Sequence, residues 1–346
     1  ILLSRTSKGF DHNSFRTKLS VSTLIGLLAV TTDVLLLASA QRERPIVLAY
    51  YYRFYGDPSH GDWSQSRFTP ELGRYRSEDQ SVIRKHLEWA REAAIDGFIV
   101  SWWGPDSSSD RSSKLLFGEA ETFGVKLAIM IERVVNRRTG QCWYVNVSFH
   151  DPNFTEGLYD TLGYVVENYV TVYPKTYLAF RGKPSIAFYA LLDTRKHDEE
   201  AYANLFGQIK NRIRQEKDLS ISIFSLNTVD SSEFDVLALY NPLTQLGGNP
   251  QCPMKGETYR CKSGVRVASV VPGYDDSLTG RRDSIVIHRA DGALYKSQWK
   301  NAQSFSPDLV LITSFNEWYE GTSIEPSKEW GMLYLQITRE FTRTTE

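Results

Sequence analysis

Glu317 and Glu320 stand three residues apart in the stretch Leu309 to Pro326, which reads LVLITSFNEWYEGTSIEP. Glycoside hydrolysis needs two carboxyl groups with different duties. One, kept protonated, gives its proton to the leaving oxygen, while the other activates the attacking oxygen. Trp318 lies between the two acids. Burial against it would raise the pKa of one Glu, and a second negative charge nearby would raise it further. Most glutamates are solvated surface acids. These two sit among Asn316, Trp318, Tyr319 and Gly321, an aromatic, glycine-punctuated setting that solvation alone does not require. Other chemistries lack their signatures. The six His include the scattered His60, His86 and His288, and no Ser-His-Asp pattern is visible. No metal-ligand spacing occurs, and no Gly-rich fingerprint follows the first apolar run, so neither metal nor cofactor is expected.

Such a pair must be carried by a rigid element. Leu309 to Ile312 is apolar on both faces, which suits a parallel strand buried between layers, and the acids follow its carboxyl end, where α/β barrels keep their chemistry. Seven other short apolar runs precede it: Ile46–Tyr51, Gly97–Trp102, Val125–Ile131, Ser185–Tyr189, Ile221–Leu226, Val236–Leu239 and Val267–Val271. Helical patterns fit between several of them. Ser77-Glu78-Asp79-Gln80 reads as a capping box before Ile83, Leu87, Ala90 and Ala94, and Tyr159–Tyr169 and Ala201–Ile213 are further candidates. Strands alternating with helices point to an α/β fold, a (β/α)8 TIM barrel, with a doubly wound open sheet as the alternative. The Gly-, Pro- and Asn-rich stretch Asn241 to Gly264 reads as a loop over the barrel mouth.

Nearly every run ends in an aromatic or an acid. Tyr50, Tyr51, Tyr52, Arg53, Phe54 and Tyr55 follow the first; Trp102 and Trp103 follow the second; Glu132, Tyr189, Tyr240 and Tyr274-Asp275-Asp276 follow later ones. Each alone suits plain packing, but their recurrence at one end of successive strands favours an aromatic-walled cleft. The 8 Trp and 19 Tyr of the chain agree with that reading.

The 346 residues suffice for one large domain, and 40 Lys+Arg against 41 Asp+Glu give no basic field, so no nucleic-acid partner is expected. The chain starts with Ile, which reads as a missing true start. Leu19 to Ala40 is apolar, follows Arg16 and Lys18, and closes on Ala38-Ser39-Ala40. That is the pattern of a secretory signal peptide, with an uncleaved anchor, the only expected membrane contact, as the second reading. Thr31-Thr32-Asp33 weakens a spanning helix. The organisation expected is residues 1–44 as signal or anchor and 45–346 as one catalytic domain, a monomer in the secretory pathway, Golgi lumen or outside the cell. Two N-glycosylation triplets, Asn146-Val147-Ser148 and Asn153-Phe154-Thr155, agree. Cys252 and Cys261 could close a disulfide, with Cys142 left over.

Several segments together resemble glycoside hydrolase family 99, the endo-α-1,2-mannosidases and mannanases and their family-99-like relatives. They are Tyr50–Gly56, Leu72-Gly73-Arg74-Tyr75 with its helix, Gly97 to Trp103, Gly182-Lys183-Pro184, Ser269 with Pro272-Gly273-Tyr274, and the specific Ile312–Pro326 block. The resemblance, over roughly residues 46 to 340, implies a (β/α)8 barrel acting on α-mannosides in an oligosaccharide or glycan, with retention of configuration. By position, Glu317 would draw the proton from the sugar's own 2-hydroxyl, giving an anhydro-sugar, and Glu320 would serve as general acid and then base. Tyr50, Trp102, Trp103, Tyr189 and Tyr240 would line the subsites, and Glu132 would be a further substrate-binding acid. Tyr274, Asn316 and Trp318 complete the candidate substrate contacts. The chain departs from the family pattern at Tyr319 (His in the family), at Arg133-Val134 (Pro-Tyr) and at Ala190 (commonly Asp). The sugar is therefore open, with a retaining glycosidase of another specificity, or a carbohydrate-binding protein without turnover, as alternatives.

Overall fold

The computed structural model describes residues 44–56, 63–144, 152–189, 199–226, 231–245 and 257–343. The apolar segment 19–40, the Asn146 triplet, His60, Ala190 and Cys252 lie outside the described residues, and with Cys252 the expected disulfide.

All eight apolar runs are strands: β1 (Ile46–Tyr51), β2 (Gly97–Trp102), β3 (Lys126–Ile131), β4 (Lys183–Tyr189), β5 (Ser222–Leu226), β6 (Val236–Ala238), β7 (Arg266–Val270) and β8 (Leu309–Ile312). They pair in parallel in the order β7-β8-β1-β2-β3-β4-β5-β6. Side chains alternate between the two faces of a strand. Val47, Ala49 and Tyr51 of β1 therefore pack outward with Phe98, Val100 and Trp102 of β2 against the helix layer. Leu48, Tyr50, Ile99, Met130, Leu309 and Leu311 fill the interior. A cylinder of strands that is apolar on both sides explains why the runs are continuous rather than alternating.

The helical layer comprises α1 (Gln80–Glu92), α2 (Ser108–Phe123), α3 (Pro152–Val165), α4 (Glu199–Lys217), α5 (Ala293–Phe305) and α6 (Leu333–Thr342). The cap of α1 is Asp79, which accepts the Ser81 N–H at 2.8 Å, rather than the capping box expected to open at Ser77. The Ser77 hydroxyl instead accepts the Tyr55 N–H at 3.1 Å and ties the loop after β1 to the entry of α1. The alternation of strand and helix is incomplete: the link from β5 to β6 carries no helix among the described residues.

The barrel is nearly closed, and its seam lies between β6 and β7. Part of the stretch read as a mouth loop does another job there. Its strand Glu257–Arg260 pairs antiparallel with β7, and the Cys261 that follows reaches β6. The buried Cys261 sulfur accepts the Leu237 N–H at 3.1 Å, and Ser269 Oγ donates to the Leu239 carbonyl at 3.0 Å. Side chains thus satisfy backbone groups that a missing ladder would leave open.

Gly97 opens β2 where it pairs with Lys126 of β3. A Cβ there would come within 2.3 Å of the Lys126 carbonyl oxygen, a backbone atom that cannot turn away. Gly97→Ala should lower unfolding free energy by roughly 2–4 kcal/mol, the range of severe core defects. Chemical denaturation checks this, and a loss below about 0.5 kcal/mol would show that the two strands separate freely there.

Candidate active site

The acids hang from the turn that follows β8, and this turn is fastened to β1. The Asn316 side chain accepts the Tyr52 N–H at 2.7 Å and donates to the Tyr52 carbonyl at 3.1 Å. Tyr55 OH donates to the Asn316 carbonyl at 2.7 Å and accepts the Trp318 N–H at 2.9 Å. Inside the turn, Ser314 Oγ accepts the Glu317 N–H at 2.7 Å, and Glu317 Oε1 accepts the Tyr319 N–H at 3.0 Å. Gly321 has φ of +58°, and a Cβ there would lie 3.1 Å from the Asp275 carbonyl, so the chain after Glu320 needs glycine. Beneath the turn, the buried Glu325 accepts from Trp318 Nε1 (3.0 Å) and Tyr75 OH (2.8 Å), with His86 Nε2 at 3.0 Å.

Above it opens a cleft of about 680 Å³. Glu317, Glu320 and Glu132 line it together with Arg281, and Tyr52, Phe54, Trp103, Tyr189, Tyr240 and Tyr319 supply its aromatic surface. Tyr52 OH donates to Tyr240 OH at 2.7 Å, and Phe54 stacks on Tyr319 with ring centres 5.8 Å apart. Ser101 Oγ donates to Glu132 Oε1 at 2.9 Å and accepts from Trp103 Nε1 at 3.3 Å. Among the described residues, no group of three or more His, Cys, Asp or Glu is placed to hold a metal ion.

The structure thus brings Glu317, Glu320, Glu132, Trp103, Tyr189 and Tyr240 to one cavity. Five other expected contacts lie elsewhere. Trp102 points outward, because it occupies the alternate face of β2; it stacks on Tyr164 and its Nε1 donates to the buried Asp110 at 2.9 Å. Tyr50 is fully buried one layer below, edge-on to Tyr240, and its phenol reaches no partner. Tyr52, two residues on and on the same face, is the one that reaches the cleft. Asn316 and Trp318 are buried supports of the turn. Tyr274 lies behind Arg281, which donates to its hydroxyl at 2.9 Å, to Asp276 at 3.3 Å and to Glu320 Oε1 at 2.8 Å. Arg281 escaped the sequence reading because it sits in an irregular loop. No periodicity or motif marks it, and only its nearness to Tyr274-Asp275-Asp276 hints at the rim.

Charge in the cleft is unevenly tolerated. Burial, reinforced by the charge of Glu320, pushes Glu317 well above the ordinary carboxylate range, against the opposing Tyr319 N–H. Burial likewise raises Glu132 to about 7, although the Ser101 hydroxyl works in the other direction. Tyr52 and Tyr240 are held neutral by burial and by the surrounding carboxylates. Asp110 on the outer side shows the contrast. Burial disfavours its charge too, yet donors from Lys114, Tyr169, Trp102 and Tyr164 bring it below the usual value.

A parallel barrel with a pocket of carboxylates and aromatic faces at the carboxyl ends of its strands is the architecture of a glycoside hydrolase. Comparison with known proteins narrows the class. The sequence model of glycosyl hydrolase family 99 matches residues 55–332, and the chain belongs to that family. The mouse "Glycoprotein endo-alpha-1,2-mannosidase-like protein" is 27% identical over 327 residues, covering 85% of this chain and 68% of the relative. The mouse "Glycoprotein endo-alpha-1,2-mannosidase" is 28% identical over 302 residues, covering 81% and 62%. The chain therefore spans about two thirds of the length of these relatives. Among solved structures, the GH99 endo-alpha-mannosidase from Bacteroides thetaiotaomicron superposes with a TM-score of 0.65 at 24% identity, over 86% of this chain and 96% of that one. That likeness concerns the fold.

The raised pKa of Glu132 has a consequence for stability. Its folded value of about 7 exceeds the ordinary 4.5, so the favourable term is complete below pH 4.5 and is lost as pH rises through 7. Glu132→Gln removes the titration. Measured by denaturation, the variant should gain on the parent by about 1–3 kcal/mol between pH 4.5 and pH 8. A pH-independent difference would mean that Glu132 ionises freely.

Proposed function

We propose that this chain is a retaining, endo-acting glycosidase of α-mannosides, with Glu317 and Glu320 as its catalytic pair. The observation that carries this reading is that both acids open on one aromatic-walled cleft at the carboxyl ends of the strands. The names of the relatives, glycoprotein endo-alpha-1,2-mannosidases, support α-mannose in a glycan as the substrate, and a glycoprotein substrate fits the secretory-pathway or Golgi-lumen placement expected from residues 1–44.

In the first step Glu317 takes the proton from the 2-hydroxyl of the sugar to be released at C1. O2 attacks C1, the glycosidic C–O bond breaks, and the departing oxygen takes a proton from Glu320. In the second step water attacks C1 of the anhydro-sugar, Glu320 takes a proton from that water, and Glu317 returns its proton to O2. Two inversions at C1 leave the configuration unchanged, and both acids recover their starting state. Arg281 orients Glu320 through its 2.8 Å hydrogen bond. Glu132, Trp103, Tyr189 and Tyr240 bind the sugar, and Tyr52 stands beside them. The first step uses Glu317 as the carboxylate, a form that its burial opposes and that a hydrogen bond from the sugar's 2-hydroxyl favours.

Either Glu317→Gln or Glu320→Gln should lower kcat/KM on α-1,2-mannosyl disaccharides by at least about a hundredfold, the usual effect of deleting a positioned acid or base. The first product released should keep the α configuration when followed by NMR. Inverted product would remove the anhydro-sugar route. Binding without turnover in the unaltered protein would make it a lectin-like relative, and cleavage of glucosyl but not mannosyl analogues would reassign the sugar.

A further inference from the structure

The aromatic surface of the cleft does not end at its rim. Trp103, which lines the cavity, is 37% exposed, and Tyr144 beside it is 47% exposed, with ring centres 6.0 Å apart and planes inclined at 52°. They are two of only seven large exposed apolar side chains among the described residues, and they adjoin. Tyr144 is the outer end of a hairpin that follows β3, formed by Val134–Val135 and Cys142–Trp143.

This hairpin is built in. Asn136 Oδ1 accepts the N–H groups of Arg138 and Thr139, both at 3.1 Å, and closes the turn. Thr161 Oγ1 of α3 accepts the Val135 N–H at 2.9 Å. Trp143 packs edge-on against Phe154, and a Cβ on Gly157 would come within 2.7 Å of its ring, so α3 carries a glycine where the hairpin lies down. On the other side a Cβ on Gly104, immediately after Trp103, would meet Val135 at 2.9 Å. Two glycines thus let the hairpin seat closely between α3 and the exit of β2. The fold leaves a wet aromatic ring on a fixed arm, continuous with a sugar-binding wall, which is how an apolar pyranose face is captured from water.

Resting on the proposed glycosidase reading, we infer that Tyr144 and the outer face of Trp103 form an additional sugar subsite beyond the cleft, which selects longer α-mannan chains over short ones. The test uses the full chain carrying Glu320→Gln, so that ligands persist, titrated calorimetrically with α-1,2-linked mannobiose, mannotriose and mannotetraose and with α-1,2-linked glucose oligomers of the same lengths. Affinity should rise roughly 3- to 10-fold on reaching the unit that touches Tyr144, the gain expected of one aromatic contact. Tyr144→Ala should flatten that length dependence, and Tyr144→Phe, which keeps the ring, should preserve it. Mannosides that bind with the same length dependence in Tyr144→Ala, or with none in the parent, overturn the outer subsite and leave the glycosidase reading standing. Binding of neither series at any length overturns the glycosidase reading, and the subsite with it.

Discussion

A buried carboxylate sets the terms for this site. Glu325 lies under the turn after β8, sealed from water, and a carboxyl group in that position is tolerable only if its oxygens are fully hydrogen-bonded. Tyr75, Trp318 and His86 meet that demand. A carboxylate can only accept, so His86 Nε2 carries the hydrogen, and Nδ1 on the far side of the ring meets Tyr51 OH at 2.8 Å. Arg53 in turn donates to the Tyr51 oxygen at 3.3 Å. The chain of donors runs from the exit of β1 through α1 to the turn after β8. Its members come from well-separated parts of the sequence, the exit of β1, the approach and body of α1 and the turn after β8, so the shape of the turn depends on all of them.

Above that anchor, burial reinforced by like charge sets the character of the acids. Three carboxyl groups open on one cavity and a single guanidinium, Arg281, is directed to Glu320. Arg281 is half exposed, so its ion pair contributes little to stability. Its value is directional. The pairing makes the two neighbouring acids inequivalent, because Glu317 has a backbone N–H and the charge of Arg281 to offset its burial, whereas Glu320 is hydrogen-bonded to Arg281 directly. Two identical side chains three residues apart thus stand in different surroundings.

Closure of the barrel follows the same economy of partners. Seven strand pairs of the ring are joined by backbone ladders, and at the eighth the ladder gives way to the Cys261 sulfur and the Ser269 hydroxyl. A glycine-rich, proline-rich composition suggests a loop, yet Glu257–Arg260 is drawn into the sheet because β7 otherwise presents an unpaired edge. Local composition loses to a long-range hydrogen-bonding demand.

All eight strands were legible in the chain, since a strand buried on both faces announces itself by apolar content alone. The acid pair was legible as well, because residue type and spacing carry it, and so was the aromatic character of the strand exits. Which aromatic faces the cleft was not. Trp102 and Trp103 are adjacent and identical in type, yet one braces Asp110 outside the barrel and the other lines the cleft. Tyr50 and Tyr52 share a face but stand at different heights. Strand phase and depth settle such questions, and both are properties of the assembled sheet. Arg281 and Tyr144 belong to irregular segments with no period to read. Sequence by itself thus determined the fold class and the position of the acid pair after the last strand, because hydrophobic pattern and chemical identity are local. Only tertiary structure decided which side chains meet, because inward and outward have no meaning until the strands have closed around an axis.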